Sequence, residues 1–298
     1  MNKILVSLCG SVLVSSVILA APASASPQAA VTAGTGNMAQ QVAVSEQAPI
    51  SGGSVQSASG SSFWSSIVTS RYADVAALPG FSLVSPTGLV PGWGTVFYGA
   101  GLTTNSTTNG GIDGGISLGM GYGDPYDSLG GAITLGLASV NPKEIGKEFG
   151  NAAYYSINTG HFFVDQQIGV SVGMSNFAGW LPTGAVGAPS YYVAGTKVFS
   201  LPDHPIIITG GLGNQNYSDY RNTNKAEPYP FISGAYYIAP QLSFVVDYTS
   251  AITSTGFSLV PVYYIPVVVN LGIYDLFHYI PNHTRPSIMM GVSSAFTF

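Results

Sequence analysis

The chain has 298 residues, of which only 7% are Asp, Glu, Lys or Arg, against about 25% in a typical soluble domain. Its 13 acidic and 8 basic residues give a formal net charge of −5, so the basic surface that binds phosphates is missing and nucleic acid is excluded as a partner. With 38 Gly and 18 Tyr, the composition favours a protein whose outer surface faces lipid.

The first 25 residues have the layout of a secretory signal peptide. Lys3 precedes an apolar run, residues 4–19, and the small residues of Ala23-Ser24-Ala25 follow it, which predicts cleavage after Ala25 and export to the periplasm. The only cysteine, Cys9, lies in this segment. The mature chain is therefore expected to hold no disulfide and to depend on backbone pairing and packing for its stability.

Two further segments precede the predicted strands. Residues 26–62 are rich in Ala, Ser, Gly, Gln and Val and lack aromatic residues, which is typical of a disordered linker. Residues 63–78 favour a short amphipathic helix, because apolar residues recur every three or four positions, at Trp64, Val68, Tyr72 and Val75. This helix could plug a pore, lie on a membrane surface or serve as a lead-in, and the sequence leaves the three interpretations open.

Residues 79–298 predict an all-β fold, a closed antiparallel up-and-down transmembrane β-barrel of about twelve strands. From residue 94 onwards no charge-free helical span of about 20 apolar residues occurs, and segments of about 8–12 residues alternate between large apolar and small or polar side chains. The predicted strands are residues 94–104, 113–122, 130–140, 152–163, 166–177, 190–199, 205–213, 228–238, 241–250, 255–264, 267–275 and 286–298.

The alternation also predicts which way each face points. In the strand 113–122, for example, Leu118 and Met120 alternate with Ser117 and Gly119. In a soluble sandwich the second face would carry charged residues, whereas here it carries Gly, Ser and Thr. We therefore expect the large side chains to face lipid and the small ones to line a lumen, with short periplasmic turns alternating with longer external loops. The shortest external loop is predicted at residues 251–254.

The last strand carries the most specific signal. Ile288, Met290, Val292, Phe296 and Phe298 share one face, and Phe298 ends the chain. This strand resembles the C-terminal strand of bacterial outer-membrane β-barrel proteins, whose terminal Phe and alternate apolar residues are recognised by the barrel-assembly machinery. The resemblance implies the outer membrane of a Gram-negative-type bacterium as the location, outer-membrane lipid and that machinery as partners, and Phe296 and Phe298 as the assembly signal.

Catalytic side chains in the required register are missing. None of the four histidines is followed two residues later by Ser, the arrangement with which outer-membrane phospholipases activate a serine. Asp203-His204 is the only adjacent acid–histidine pair, and it falls in a predicted periplasmic turn. We expect no enzyme activity, no cofactor and no metal. A metal site formed by Asp275, His278 and His283 in one external loop is the alternative to a plain solvated loop.

The charged residues of the predicted strands are expected to face the lumen. Lys197 and Asp247 are the only charged residues at central strand positions, and both are expected to point inwards, because a charge facing lipid near the middle of the membrane would cost about 2–4 kcal/mol. We predict that Lys197, Asp247 and Asn270 line the pore, where charged residues would set selectivity. A structural Lys197–Asp247 pair, or two separately hydrated charges, is the alternative.

The sequence thus predicts an outer-membrane β-barrel that acts as a passive channel or transporter for small solutes, with a mostly neutral lumen. One alternative function is an autotransporter-like translocator or anchor, entered by the helix at residues 63–78. Another is a structural barrel of the outer membrane that transports nothing.

Overall fold

The computed structural model describes residues 77–104, 112–137, 153–180, 189–201, 204–219, 221, 224–262, 264–280 and 286–297. Each strand pairs antiparallel with the next, and β1 pairs with β12 to close the barrel, so the predicted twelve-stranded fold is confirmed. The strands are β1 (Thr95–Thr104), β2 (Ile112–Gly123), β3 (Gly130–Leu137), β4 (Ala153–Phe163), β5 (Ile168–Trp180), β6 (Ser190–Phe199), β7 (Ile206–Gly213), β8 (Tyr229–Ala239), β9 (Leu242–Thr249), β10 (Ile252–Leu259), β11 (Val267–Tyr274) and β12 (Ser287–Thr297).

Large apolar side chains cover the outside of the barrel. In β2, Leu118 and Met120 are exposed, whereas Ser117 and Gly119 are buried, and in β9 the exposed Val246 precedes the buried Asp247. Because strand side chains alternate between the two faces, the exposed residues face outwards and the buried ones face the lumen. The predicted orientation of these strands, with bulky residues outside and small or polar residues inside, is confirmed.

The two ends of the barrel differ in their connections. We call the end that carries residues 124–129, 164–167, 200–205, 240–241, 260–266 and the C-terminus the turn end. The opposite end, the loop end, carries residues 105–111, 138–152, 181–189, 214–228, 250–251 and 275–286. The three longest connections, residues 138–152, 214–228 and 275–286, all lie at the loop end, as the sequence predicts.

The tenth strand is present, but its predicted bounds, 255–264, and those of the loop before it, 251–254, are wrong. β10 begins at Ile252, which pairs with Thr249 across a two-residue turn, and it ends at Leu259. Ser250 and Ala251 both have positive φ, 58° and 64°, as the central residues of a tight type I′ hairpin do. Such turns usually contain Asn or Gly, and this one contains neither, so its residues do not indicate a turn of this type.

Residues 77–92, which we call the lumen segment, run inside the barrel before β1. Every residue of the segment is buried and none belongs to a helix or strand. The segment starts near the turn end, reaches the level of Thr249 with Ser85, and returns to the turn end at Gly92, beside Gly121 of β2. The barrel therefore contains part of its own chain. Of the predicted helix at 63–78, residues 63–76 lie outside the described residues.

Four inward-facing aromatic rings occupy space that glycines leave on the neighbouring strand. In each pair a Cβ added to the glycine would lie 2.2–2.4 Å from a ring carbon, which is far inside contact distance. The glycines therefore let the rings lie flat against the wall, an arrangement also used to protect glycines in designed sheets. The pairs, each directly opposite in register, are Phe97–Gly119, Tyr154–Gly136, Tyr192–Gly173 and Phe231–Gly211.

The lumen segment packs into an apolar core inside the barrel. Leu83, Val84 and Leu89 of the segment join inward residues of the wall and residues of the loop at 275–286 in a single buried cluster. The wall and loop residues of that cluster include Phe162, Val198, Ile207, Ala235, Tyr237, Val245, Ile252, Tyr274, Ile280 and Met289. Among the described residues, no helix is long and apolar enough to span a membrane.

Candidate functional site in the barrel lumen

Asp247 of β9 holds the tip of the lumen segment. One carboxylate oxygen, Oδ2, accepts hydrogen bonds from Ser82 Oγ at 2.7 Å and from the backbone N–H groups of Leu83, Val84 and Ser85 at 3.0 Å each. The other, Oδ1, accepts from Ser85 Oγ at 2.5 Å and from Thr249 Oγ1 at 2.9 Å. We call this set of contacts the Asp247 clasp.

The geometry of the clasp explains how a charge is tolerated in the lumen. Asp247 is only 1% exposed, and a buried carboxylate is costly unless donors replace its water. Three successive N–H groups that converge on one oxygen form an anion-binding nest in the backbone. Hydrogen bonds to an ionised acceptor are roughly twice as strong as neutral ones. The clasp therefore fixes residues 82–85 to β9.

Wall side chains anchor the rest of the lumen segment through its backbone. Ser243 and Ser258, which are opposite each other on β9 and β10, bond the carbonyl and the N–H of Gly80 at 2.6 Å each. On the return path, Thr196 accepts from Gly88 N–H at 2.8 Å, and Ser171 donates to the Thr87 carbonyl at 2.6 Å. These inward Ser and Thr residues, predicted only as lumen lining, bind the chain itself.

Gly88 is where the lumen segment comes closest to the wall. A Cβ at this position would lie 2.2 Å from the Gly169 carbonyl oxygen and 2.6 Å from the Thr196 nitrogen. Only a residue without a side chain can make this backbone-to-backbone approach. Gly169 is equally confined, since its own Cβ would lie 2.5 Å from Leu89.

The part of the wall formed by β11, β12, β1 and β2 is different, and we call it the polar wall. Among the described residues, several of its buried side-chain atoms have no hydrogen-bond partner: Thr103 Oγ1, Ser117 Oγ, Asn270 Oδ1, Ser287 Oγ and Ser293 Oγ. Every inward side chain described on these four strands is uncharged. Asp113, at an inward position of β2, has a side chain outside the described part of the structure. Apart from Asp113, the polar wall is thus a surface of uncharged side chains, several of which carry an unpartnered polar atom.

Connections at the loop end fold over the mouth of the barrel. Ile280, from the loop 275–286, is buried in the lumen core, and the buried Asp275 holds the loop by accepting the N–H groups of Tyr279 and Ile280 at 2.6 and 3.1 Å. Tyr217, in the short 3₁₀ helix Gln215–Tyr217, packs between Tyr192 and Phe231. The two loops therefore contribute side chains to the lumen.

A separate cluster of polar contacts links these two loops at the barrel mouth. The guanidinium of Arg221 lies over the Tyr279 ring at 4.0 Å, and the Tyr279 hydroxyl donates to the Asp219 carboxylate at 3.0 Å. Desolvation and the Asp219 carboxylate raise the pKa of Tyr279 above its usual value. Lys225 Nζ donates to the Asp219 carbonyl at 2.7 Å, and its burial lowers the pKa of Lys225 although the Asp219 charge opposes this.

Of the predicted pore-lining residues, Asp247 and Asn270 lie on the inner face and Lys197 does not. The inward prediction for Lys197 is wrong, because Tyr192 and Val198 occupy the buried positions of β6 and Lys197 has the other parity. Its Nζ reaches the Gln166 carbonyl beyond the strand, at the turn end. A charge so close to the end of the barrel is stabilised by this reach, whereas mid-membrane it would be costly.

The remaining predicted residues fall at the chain end and in the loops. Phe296 is 50% exposed on the outer face and stacks against Tyr98 of β1 with ring centroids 6.1 Å apart, and Phe298 lies outside the described residues. His283 also lies outside them. Among the residues that the structure describes, no group of three or more His, Cys, Asp or Glu side chains could hold a metal.

No protein-family model and no curated protein matches the sequence. An outer membrane channel from Pseudomonas putida F1 is similar in structure, with 10% identity over 70% of this chain and 97% of that chain and a TM-score of 0.42. The outer membrane protein Omp33 from Acinetobacter baumannii shows 8% identity over 69% of this chain and 98% of that chain, with a TM-score of 0.39. Scores and identities this low carry no functional argument.

Proposed function

We propose that the protein is a bacterial outer-membrane channel through which small neutral polar solutes pass along the polar wall. The observation that carries the proposal is the set of unpartnered, uncharged polar atoms on β11, β12, β1 and β2. Buried polar groups in proteins almost always have a hydrogen-bond partner, so such a surface is suited to hydroxyl-bearing solutes and water.

The outer surface supports a membrane location. Large apolar side chains face outwards around the barrel, and exposed aromatic residues lie near both ends, as in the girdles of outer-membrane barrels. They are Trp93, Phe163, Phe199 and Tyr264 near the turn end, and Phe177, Tyr191 and Phe277 near the loop end. The predicted signal peptide and the last strand, with Phe296 and Phe298, would serve export and assembly in a Gram-negative-type outer membrane.

The size of the lumen favours small solutes. A twelve-stranded barrel is intermediate between barrels filled by their own side chains and wide porins. Here the lumen segment fills the side of the lumen next to β5, β6, β8, β9 and β10, to which it is bonded. We place the narrow solute path on the other side, along β11, β12, β1 and β2, which carry none of these hydrogen bonds.

Proteoliposome swelling tests this function. Full-length mature protein and a variant without residues 26–76 are reconstituted, folding is verified by heat-modifiable gel migration, and glycerol and larger neutral sugars are compared. We expect glycerol to enter through at least one of the two, and Ser293→Leu to slow its entry by about tenfold because it narrows the path. Val292→Leu, at the adjacent outward position, is the control and should change nothing. If both folded proteins are impermeable to glycerol, the function is wrong.

A barrel that transports nothing is the second candidate, since the buried lumen segment occupies much of the interior. The same measurement separates the two functions, because a structural barrel leaves both forms of the protein impermeable.

A further inference from the structure

The polar wall contains a patch without side chains, which we call the glycine patch. Gly115 of β2, Gly101 of β1 and Gly291 of β12 are directly opposite one another in register and face the lumen. Gly99, two residues before Gly101, adjoins them on the same face. All four are buried, and none takes part in the four ring–glycine pairs of the barrel. Because the inward positions towards either end of the barrel carry side chains, the patch is a shallow recess in the wall.

Unpartnered polar groups surround the glycine patch on three sides, and we call them the polar frame. Four inward side chains next to a patch glycine are at most 2% exposed, and each has an oxygen without a hydrogen-bond partner among the described residues. Buried polar groups without a partner are destabilising and rare, so four of them around one recess indicate a ligand site. They are Ser117 Oγ and Ser293 Oγ, opposite Gly99 on its two neighbouring strands, Thr103 Oγ1, next to Gly101 on β1, and Asn270 Oδ1, opposite Gly291.

The polar frame defines the chemistry of the ligand. Its three hydroxyls can each donate or accept a hydrogen bond, and the amide of Asn270 has groups of both kinds. Among the described side chains that adjoin the patch none is charged, and Asp113, opposite Thr103, has its side chain outside the described part. A ligand that brings several hydroxyls and no charge matches this set.

The dimensions of the recess correspond to a single sugar ring. Neighbouring strands are about 4.8 Å apart, so the Cα atoms of Ser117 and Ser293, which lie two strands apart, are about 10 Å from each other. Along β1 the recess covers only the two inward positions between Phe97 and Thr103, which are about 7 Å apart. One pyranose ring with its hydroxyls fits this area, whereas a longer saccharide extends beyond it.

We propose that the glycine patch binds one neutral monosaccharide, whose ring lies flat on the bare backbone and whose hydroxyls bond to the polar frame. Glycine weakens the interior of a strand and often marks a position that a ligand or another backbone approaches closely. Gly119 of β2 already accepts a flat ring in this way, since its Cβ would lie 2.2 Å from the ring of Phe97. The site gives the proposed channel a substrate class, and it rests on that function for the route by which the sugar enters.

Sugar binding can be measured without transport. The mature full-length protein is folded in a deuterated phosphocholine detergent, which contains no sugar, and saturation-transfer NMR detects methyl α-D-glucopyranoside as the probe. We expect a signal that saturates with probe concentration, and Gly101→Leu should weaken the affinity at least about tenfold because its side chain fills the patch. Gly234→Leu is the control and should change nothing, since Gly234 faces outwards and a Cβ there meets nothing within 4 Å. A signal that does not saturate, or equal affinities of the two folded variants, would overturn the site.

A smaller change keeps the test decisive if Gly101→Leu fails to fold. Ser293→Ala removes one hydroxyl of the polar frame and adds no volume, so the affinity should fall about threefold to tenfold with the loss of one hydrogen bond. Its matched control is Ser294→Ala, because Ser294 is also 1% exposed and unpartnered but occupies the neighbouring outward position. Equal sugar affinities of these two variants would show that the polar frame does not bind the sugar, and the site would be wrong.

Glycerol entry into proteoliposomes separates this site from the proposed function. A folded channel that admits glycerol but gives no saturable sugar signal keeps the function and overturns the site. A folded barrel that binds the sugar but admits no glycerol in either form of the swelling assay keeps the site and overturns the channel.

Discussion

At the scale of single residues, Asp247 is the side chain that holds the tip of the lumen segment against β9. Its carboxylate accepts six hydrogen bonds, five from the lumen segment and one from Thr249. The contacts with the lumen segment join residues more than 160 positions apart in the chain. The Asp247 clasp is therefore where folding of the barrel and docking of the lumen segment depend on one side chain.

Replacing Asp247 should loosen the lumen segment. Asp247→Asn removes the charge and turns an Nδ2 donor towards groups that are themselves donors. Because a hydrogen bond to a charged group contributes about 1.5–3 kcal/mol, we expect a loss of about 3 kcal/mol in the free energy of unfolding. Reversible urea unfolding in detergent measures it. Asp165→Asn, in the exposed turn at 164–167, should change little, and an equally small effect at Asp247 would show that the clasp contributes no stability.

Unlike Asp247, which faces the lumen, Lys197 carries its charge on the outer face of the barrel near the turn end. Lys197→Met should leave the ion selectivity of any open pore unchanged, because the side chain does not reach the lumen. Planar-bilayer reversal potentials in a salt gradient measure this. A shift in reversal potential for Lys197→Met in folded protein would return the side chain to the pore.

The error over Lys197 has a physical cause. The simple rule that small residues face inwards fails in β6, whose inner face carries Tyr192 and Val198. Tyr192 fits there because Gly173 is opposite, and Val198 belongs to the core around the lumen segment. Neither partner can be deduced from the sequence of β6, since both contacts come from other strands or from residues far along the chain.

At the scale of elements, some neighbouring strands are held in register by an aromatic ring on one strand that packs over a glycine on the other. Phe97 lies over Gly119, directly opposite it on β2. The Phe97 ring fits over this position only because Gly119 has no side chain. The pair therefore also resists a slip in register between the two strands, because a one-residue shift would separate the ring from the glycine.

A double-mutant cycle tests this matching. Gly119→Ala should lower the free energy of unfolding by about 1–3 kcal/mol, because the new methyl group overlaps the Phe97 ring. In a Phe97→Ala background the same change should cost less than about 0.5 kcal/mol, which gives a clear coupling between the two sites. Gly234→Ala is the control, since a Cβ at Gly234 meets nothing within 4 Å. Equal costs in both backgrounds would contradict the matching.

Element boundaries show how far the sequence could be interpreted at this scale. Alternation identifies all twelve strands, because the outward positions must be apolar and the inward ones small over most of the wall. The tight turn at Ser250-Ala251 was missed, since neither residue is typical of positions with positive φ. The periodicity of the sequence indicates where the strands are. The turn at Ser250-Ala251, in contrast, follows from the pairing of β9 with β10.

At the scale of the whole molecule, the barrel is filled by its own chain. The lumen segment enters at the turn end, and Tyr217 and Ile280 enter from the loop end. The sequence did not predict the lumen segment, because residues 77–92 have no strand or helix periodicity and their partners lie on β5 to β10. The neutral character of the lumen was predictable, since so few charged residues are available to line it.

A disulfide between the lumen segment and the wall tests whether the barrel encloses part of its own chain. Ser85 and Thr249 are in side-chain contact at the Asp247 clasp, so Ser85→Cys with Thr249→Cys should close a disulfide in nearly all folded barrels and in few urea-unfolded chains. Intact mass, with and without reductant, quantifies the bond. If folded barrels that migrate as heat-modifiable species keep both thiols free, the lumen segment does not lie in the lumen.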